Sequence, residues 1–124
     1  RWLVPAAWQV QRPDAIARET LAEFPFIDLL CSGDLLLTKT GYGSFTEAAC
    51  NGVPVLYVER GDWPEEPGLT AWLEAHGNAR RLHRAQLAGG GLEEPLRELL
   101  ARPARPPLAP EGIDQAADCL NGYL

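Results

Sequence analysis

Two kinds of apolar pattern alternate along this chain: short continuous runs, and longer segments whose apolar residues recur every three or four positions. Asp34-Leu35-Leu36-Leu37-Thr38 and Pro54-Val55-Leu56-Tyr57-Val58 are runs of the first kind, as expected of parallel strands covered on both faces. Between them Phe45, Ala48 and Ala49 fall on one helical face of Ser44–Asn51, and Gly52 stands where a left-handed residue would end that helix. The result is a strand, tight turn, helix, strand unit, short for a crossover but consistent with right-handed βαβ topology. Arg1 to Pro5 predicts another buried strand. Pro13 to Glu23 predicts a helix, with Pro13 in its first turn and Ile16, Leu21 and Phe24 as a loose apolar face. Phe24 to Cys31 is open between a short strand and a helical turn, because period alone does not assign so short a run.

Further on, Glu59 to Pro67 reads as a polar loop. Leu69, Trp72 and Leu73 mark a helix ending near Gly77, and Ala79 to Leu82 a short edge strand. Ala88 to Gly91 is a flexible break. Leu92, Leu96, Leu99 and Leu100 give an amphipathic helix with Pro95 in its first turn. The four prolines between Pro103 and Pro110 predict a stiff irregular connector. A last helix carries Ile113, Ala116, Ala117, Leu120 and Leu124 as a stripe expected to dock on the rest. Strands alternating with helices imply a three-layer α/β/α Rossmann-like domain with a mainly parallel sheet. Leu35, Leu36, Leu37, Val55, Leu56 and Val58 are its expected core.

At 124 residues, 46% hydrophobic and 23% charged, the chain is expected to fold as one domain with one core, spanning 1–124. A net charge of -6 speaks against a general nucleic-acid binder. The sequence has no apolar run of membrane-spanning length and no signal-peptide pattern, so no transmembrane segment and a cytoplasmic location are expected. Cys31, Cys50 and Cys119 lack disulfide or zinc spacing and are expected to be reduced and mostly buried. His76 and His83 lack metal-ligand spacing and are expected at the surface or at helix ends; no metal and no resident cofactor are expected. Lys39 is the one lysine among eleven basic residues, and it adjoins the most informative motif.

That motif is Thr38-Lys39-Thr40-Gly41-Tyr42-Gly43-Ser44-Phe45-Thr46-Glu47, where a strand gives way to a helix. Ligands of open α/β sheets bind at the carboxyl ends of the strands, and a helix N-terminus offers unpaired N–H groups to an anion. Two glycines let a diphosphate approach the backbone. Ser44-Phe45-Thr46-Glu47 also spells a capping box, in which Ser44 and Glu47 would satisfy their own helix with no ligand.

The stretch from Phe26 to Leu82 resembles the C-terminal domain of GT-B glycosyltransferases, the superfamily of the UDP-glycosyltransferases and the peptidoglycan N-acetylglucosaminyltransferase. It also resembles a related module fused to some sugar kinases. The residues that carry the resemblance are Ser32 to Thr38, Gly41-Tyr42-Gly43-Ser44 with Glu47, Asn51-Gly52-Val53-Pro54, and the acidic loop with Glu65-Glu66. It implies that Gly41, Gly43, Ser44 and Thr46 hold the diphosphate of a nucleotide-sugar donor, with Tyr42 also among the donor-binding residues, that Glu47 meets the ribose, and that Glu65 and Glu66 approach the donor sugar. Lys39 stands where plant-type members carry a histidine that contacts the diphosphate.

The resemblance further implies that the chain is a fragment of a two-domain fold, lacking the N-terminal acceptor domain and the first part of the donor domain. The general base would come from that absent partner. Asp28, Asp34 and Asp62 are the candidate carboxylates within this chain, and Trp63 could stack on a ring or pack over its own loop. The implied function is sugar transfer from a nucleotide diphosphate donor by the full-length protein, with the isolated chain inactive. The alternative is a non-catalytic nucleotide-sugar-binding or protein-interaction module.

Overall fold

In the computed structural model, which describes residues 1–123, the elements in chain order are β1 (Trp2–Val4), β2 (Ala15–Ala17), α1 (Phe26–Cys31), β3 (Leu36–Lys39), α2 (Tyr42–Cys50), β4 (Val55–Val58), α3 (Glu66–His76), β5 (Ala79–Arg81), α4 (Arg84–Ala88), α5 (Glu93–Ala101) and α6 (Gly112–Asn121). β3, β4 and β5 form one parallel sheet in that order, in register Leu36↔Val55 and Val55↔Ala79. β1 and β2 form a separate parallel pair. The chain is therefore a small Rossmann-like α/β domain of parallel sheets flanked by helices.

Alternation along β4 divides the core between the two faces of the sheet. Val55 and Tyr57 pack with Phe45, Ala48 and Ala49 of α2, with Leu69 and Leu73 of α3, and with Leu30 of α1. Leu56 packs the other way, on Leu82 and Leu99, with Leu35, Leu37, Val58, Leu92 and Leu96 around them. Central position decides burial: Val55 and Leu56 are buried, whereas Leu35, Leu36, Leu37 and Val58 are half-buried. Among the described residues β3 has a strand partner on one side only.

Gly52 ends α2 as expected, at φ +68. Its N–H donates to Ala49 O (3.3 Å) and that of Val53 to Ala48 O (2.9 Å), a Schellman pair that satisfies two terminal carbonyls. A Cβ on Gly52 would also stand 3.1 Å from Arg105 O. The 103–110 connector is irregular as expected, and it is tied down where Leu108 N–H donates to Ala49 O (3.0 Å) and the Arg105 guanidinium to Ala75 O (2.6 Å).

Three expectations need correction. Residues 13–23 are not a helix: Ala15–Ala17 pairs with β1, and only a 3-10 turn at Arg18–Leu21 follows. A tight turn closed by Ala15 N–H on Arg12 O (3.1 Å) delivers Ile16 to the backbone partners that β1 offers, and strand pairing overrides a weak helical pattern. The α6 stripe does not dock, with Ile113 83% and Leu120 67% exposed, because both faces of the three-stranded sheet are already covered by α2, α3 and α5; Leu124 lies outside the described residues. Cys31 and Cys119 are exposed and Cys50 is partly so, since they sit on the outer sides of short helices. Helix α4 was not legible in the pattern, having Leu87 as its one large hydrophobe.

Candidate functional site

β3 delivers its last residue, Lys39, to the carboxyl edge of the sheet, and the chain turns through Thr40 and Gly41 into α2. Thr40 is fully buried. Gly41 is the N-cap in extended backbone (φ -175, ψ 138), and its carbonyl accepts the N–H of Phe45 at 3.1 Å. The helix thus begins two residues earlier than its sequence pattern predicts. Ser44 becomes its third residue instead of its cap, so the Ser44–Glu47 capping box does not form, and no side chain caps α2. The N–H groups of Tyr42, Gly43 and Ser44 lie in the first turn, where a helix has no acceptors of its own. A Cβ built on Gly41 or Gly43 would meet nothing within 4 Å. Neither backbone strain nor packing requires glycine at these positions, and the turn is open to the outside.

Around the turn, Ser44 is half-buried, and Lys39, Tyr42, Thr46 and Glu47 are exposed. Among the described residues Lys39 and Glu47 form no ion pair. The Thr46 hydroxyl is bonded back into its helix, to Tyr42 O (2.9 Å) and Gly43 O (3.1 Å). The Tyr42 hydroxyl donates to Glu65 Oε2 at 2.8 Å, and its ring meets Trp63 edge-on, with centroids 5.2 Å apart. The bond to the carboxylate, partial desolvation and the charge of Glu65 together raise the phenol above its ordinary pKa, which keeps it protonated as a donor. The Arg60 guanidinium lies 5.4 Å from the Trp63 ring centroid. Tyr42, Arg60, Trp63 and Glu65 thus form one wall beside the turn.

Glu66 plays a different part from its neighbour. It is only 6% exposed, and it accepts from Thr40 Oγ1 (2.5 Å), Arg60 N–H (2.7 Å) and Gly61 N–H (2.9 Å). Desolvation pushes its pKa up, but these three donors outweigh it and hold the carboxyl below its ordinary value. Gly61 sits at φ +82, the left-handed region that favours glycine. Glu66 therefore fastens the end of β3, the loop after β4 and the start of α3 together, and its oxygens face these partners.

Sequence reasoning missed Thr40, Arg60 and Gly61. The available signal was a threonine between a strand and a glycine turn, followed by Arg-Gly after the next strand. Asp28 is exposed in the first turn of α1, Asp34 is exposed ahead of β3, and Asp62 is exposed in the acidic loop. His76 and His83 are exposed at the end of α3 and the start of α4. A concavity of about 330 Å³ lies at the opposite end of the strands, but its arginines, Arg102 and Arg105, are bonded to the carbonyls of Ala79 and Ala75. The glycine turn is open surface, suited to being one wall of a cleft. No described helix is long and apolar enough to cross a membrane. Comparison with protein-family models, curated proteins and solved structures finds no match to this chain.

Proposed function

We propose that the Gly41–Ser44 turn binds the diphosphate of a nucleotide sugar, and that the chain is the donor-binding half of a GT-B-type glycosyltransferase. The observation that carries this reading is the uncapped N-terminus of α2, which opens at the carboxyl edge of a parallel sheet and has free space where side chains at Gly41 and Gly43 would stand. In this reading the N–H groups of Tyr42, Gly43 and Ser44 and the ammonium of Lys39 take the diphosphate. The Ser44 and Thr46 hydroxyls border it, Glu47 meets the ribose one helical turn on, and Glu65 faces the donor sugar from the opposite wall. Glu66 acts from beneath, holding Thr40 and the 60–61 loop in place.

Such a site would act by positioning the donor and by stabilising charge on the departing diphosphate. An acceptor domain supplied from elsewhere would bring the acceptor and the general base. Because the turn provides a single wall, a nucleoside diphosphate is expected to bind the isolated chain with a Kd of roughly 0.1 to 1 mM, without sugar transfer. Calorimetric titration with UDP, dTDP and GDP checks this. A folded chain that binds none of the three favours a protein-interaction module, and sugar transfer by the chain alone overturns the half-enzyme reading.

A further inference from the structure

We propose a second anion subsite, for the phosphate group of a phosphorylated small molecule, in the cleft between the carboxyl ends of β4 and β5. The cleft has a volume of about 200 Å³, open to solvent, and is lined by Val58, Glu59, Arg60, Arg81, His83 and Arg84, among others. It does not depend on the donor reading, because apart from Arg60, whose guanidinium also borders the wall beside the glycine turn, it uses residues one strand further along the sheet.

The chain has 17 acidic against 11 basic residues, so most of its surface repels anions. Three arginines, Arg60, Arg81 and Arg84, are nevertheless among the residues that line this one cleft, with Glu59 as the one carboxylate among them. Glu59 pairs with Arg81 at 2.7 Å. Arg84 is held instead by neutral acceptors, donating from Nε to Glu59 O (3.2 Å) and from a terminal nitrogen to Arg60 O (2.9 Å). These bonds fix the cation without neutralising it, so part of its ordering cost is already met before a ligand arrives. The Arg60 guanidinium lies over Trp63. Among the described residues neither Arg60 nor Arg84 forms an ion pair, in a protein with a surplus of carboxylates.

Guanidinium forks suit the tetrahedral, multiply charged oxygens of phosphate better than a lysine would. The cleft is open to solvent and its volume is below the 300 to 1,000 Å³ of common ligand pockets, a size that suits a phosphate with a few attached atoms. The location at the carboxyl ends of parallel strands is where open α/β sheets receive ligands.

The test is a titration of the ¹⁵N-labelled chain with inorganic phosphate and with glucose 1-phosphate, followed by amide shifts. Shifts are expected at residues 60–61 and 82–84 with both ligands, with glucose 1-phosphate binding at least as tightly. Arg84→Gln and Arg60→Gln should each weaken binding about tenfold. Glu59→Gln should tighten it about threefold by removing the competing carboxylate. Arg60→Gln guards against a local collapse in the Arg84 variant, because the Arg60 guanidinium holds no backbone. Shifts confined to residues 41–44, exclusion of glucose 1-phosphate, or undiminished binding by both arginine variants would overturn the proposal. The donor reading is judged separately, by UDP-induced shifts at residues 41–44.

Discussion

Replacing Gly43 by valine separates what the fold needs from what a ligand needs. A Cβ at this position meets no atom within 4 Å, and Gly43 is the second residue of the nine-residue helix α2. Valine is less costly than glycine in a helix, so the folded chain should gain about 0.3 kcal/mol, or about 1 °C in Tm for a domain of this size. Binding should move the other way. The branched side chain would occupy the space through which a diphosphate reaches the N–H groups of Tyr42, Gly43 and Ser44. Losing two charge-assisted hydrogen bonds at about 1.5 kcal/mol each removes about 3 kcal/mol, a loss of roughly 150-fold. That carries a Kd of roughly 0.1 to 1 mM beyond the reach of calorimetry. Thermal melts and UDP titrations of the same preparation read both quantities. UDP affinity within threefold of the wild type would refute the placement of the diphosphate. A Tm lowered by several degrees would show that the glycine serves the fold after all.

Other substitutions probe the remaining links. Glu47→Ala should weaken UDP more than pyrophosphate, because only the nucleotide carries a ribose for that exposed carboxylate; equal losses in calorimetry would remove Glu47 from the site. Glu66 has a folded pKa below its unfolded one, so it adds stability above the ordinary carboxylate range and loses that contribution as pH falls through the folded value. Urea melts between about pH 6 and pH 3 should therefore show a steeper loss for the wild type than for Glu66→Gln; parallel curves would deny the linkage. Phe45→Ala removes a fully buried ring whose centroid lies 5.5 Å from that of Tyr57, and it should cost about 3 to 5 kcal/mol in denaturant unfolding. A cost below about 1 kcal/mol would mean that α2 is not seated on β4 as described.

The layered plan was legible wherever a run was both apolar and punctuated. The strands at 36–39 and 55–58 and the helix between them are marked by Gly41 and Gly52, and Gly52 does the geometric work its position predicts. The strand at 15–17 was not legible, because its identity comes from pairing with β1, a contact that no local pattern encodes. The failed docking of α6 has a related cause. An amphipathic stripe states that a face is apolar, and whether a surface remains free to receive it depends on the other helices. At the candidate site the glycine turn could be read directly. Its supporting parts could not: Ser44 and Glu47 spell a cap that an earlier helix start at Gly41 leaves unused. Glu65 and Glu66 are adjacent in sequence yet lead to opposite environments, one at the surface on Tyr42 and one under Thr40. Adjacent residues on the first turn of a helix point about 100° apart, and which of them turns inward is settled by the loop that enters the helix.

The buried carboxylate of Glu66 also bears on timing. Seven residues separate β4 from α3, and in a free loop of that length Arg60, Trp63 and Glu65 would swing as a flap. Two of its backbone N–H groups are anchored to Glu66, and the same carboxylate is bonded to Thr40 at the end of β3. The wall is consequently standing before any ligand arrives. Association at this edge should follow one concentration-linear phase at an ordinary protein–ligand rate, without the slower saturating phase that lid closure imposes on enzymes whose loops must first order themselves.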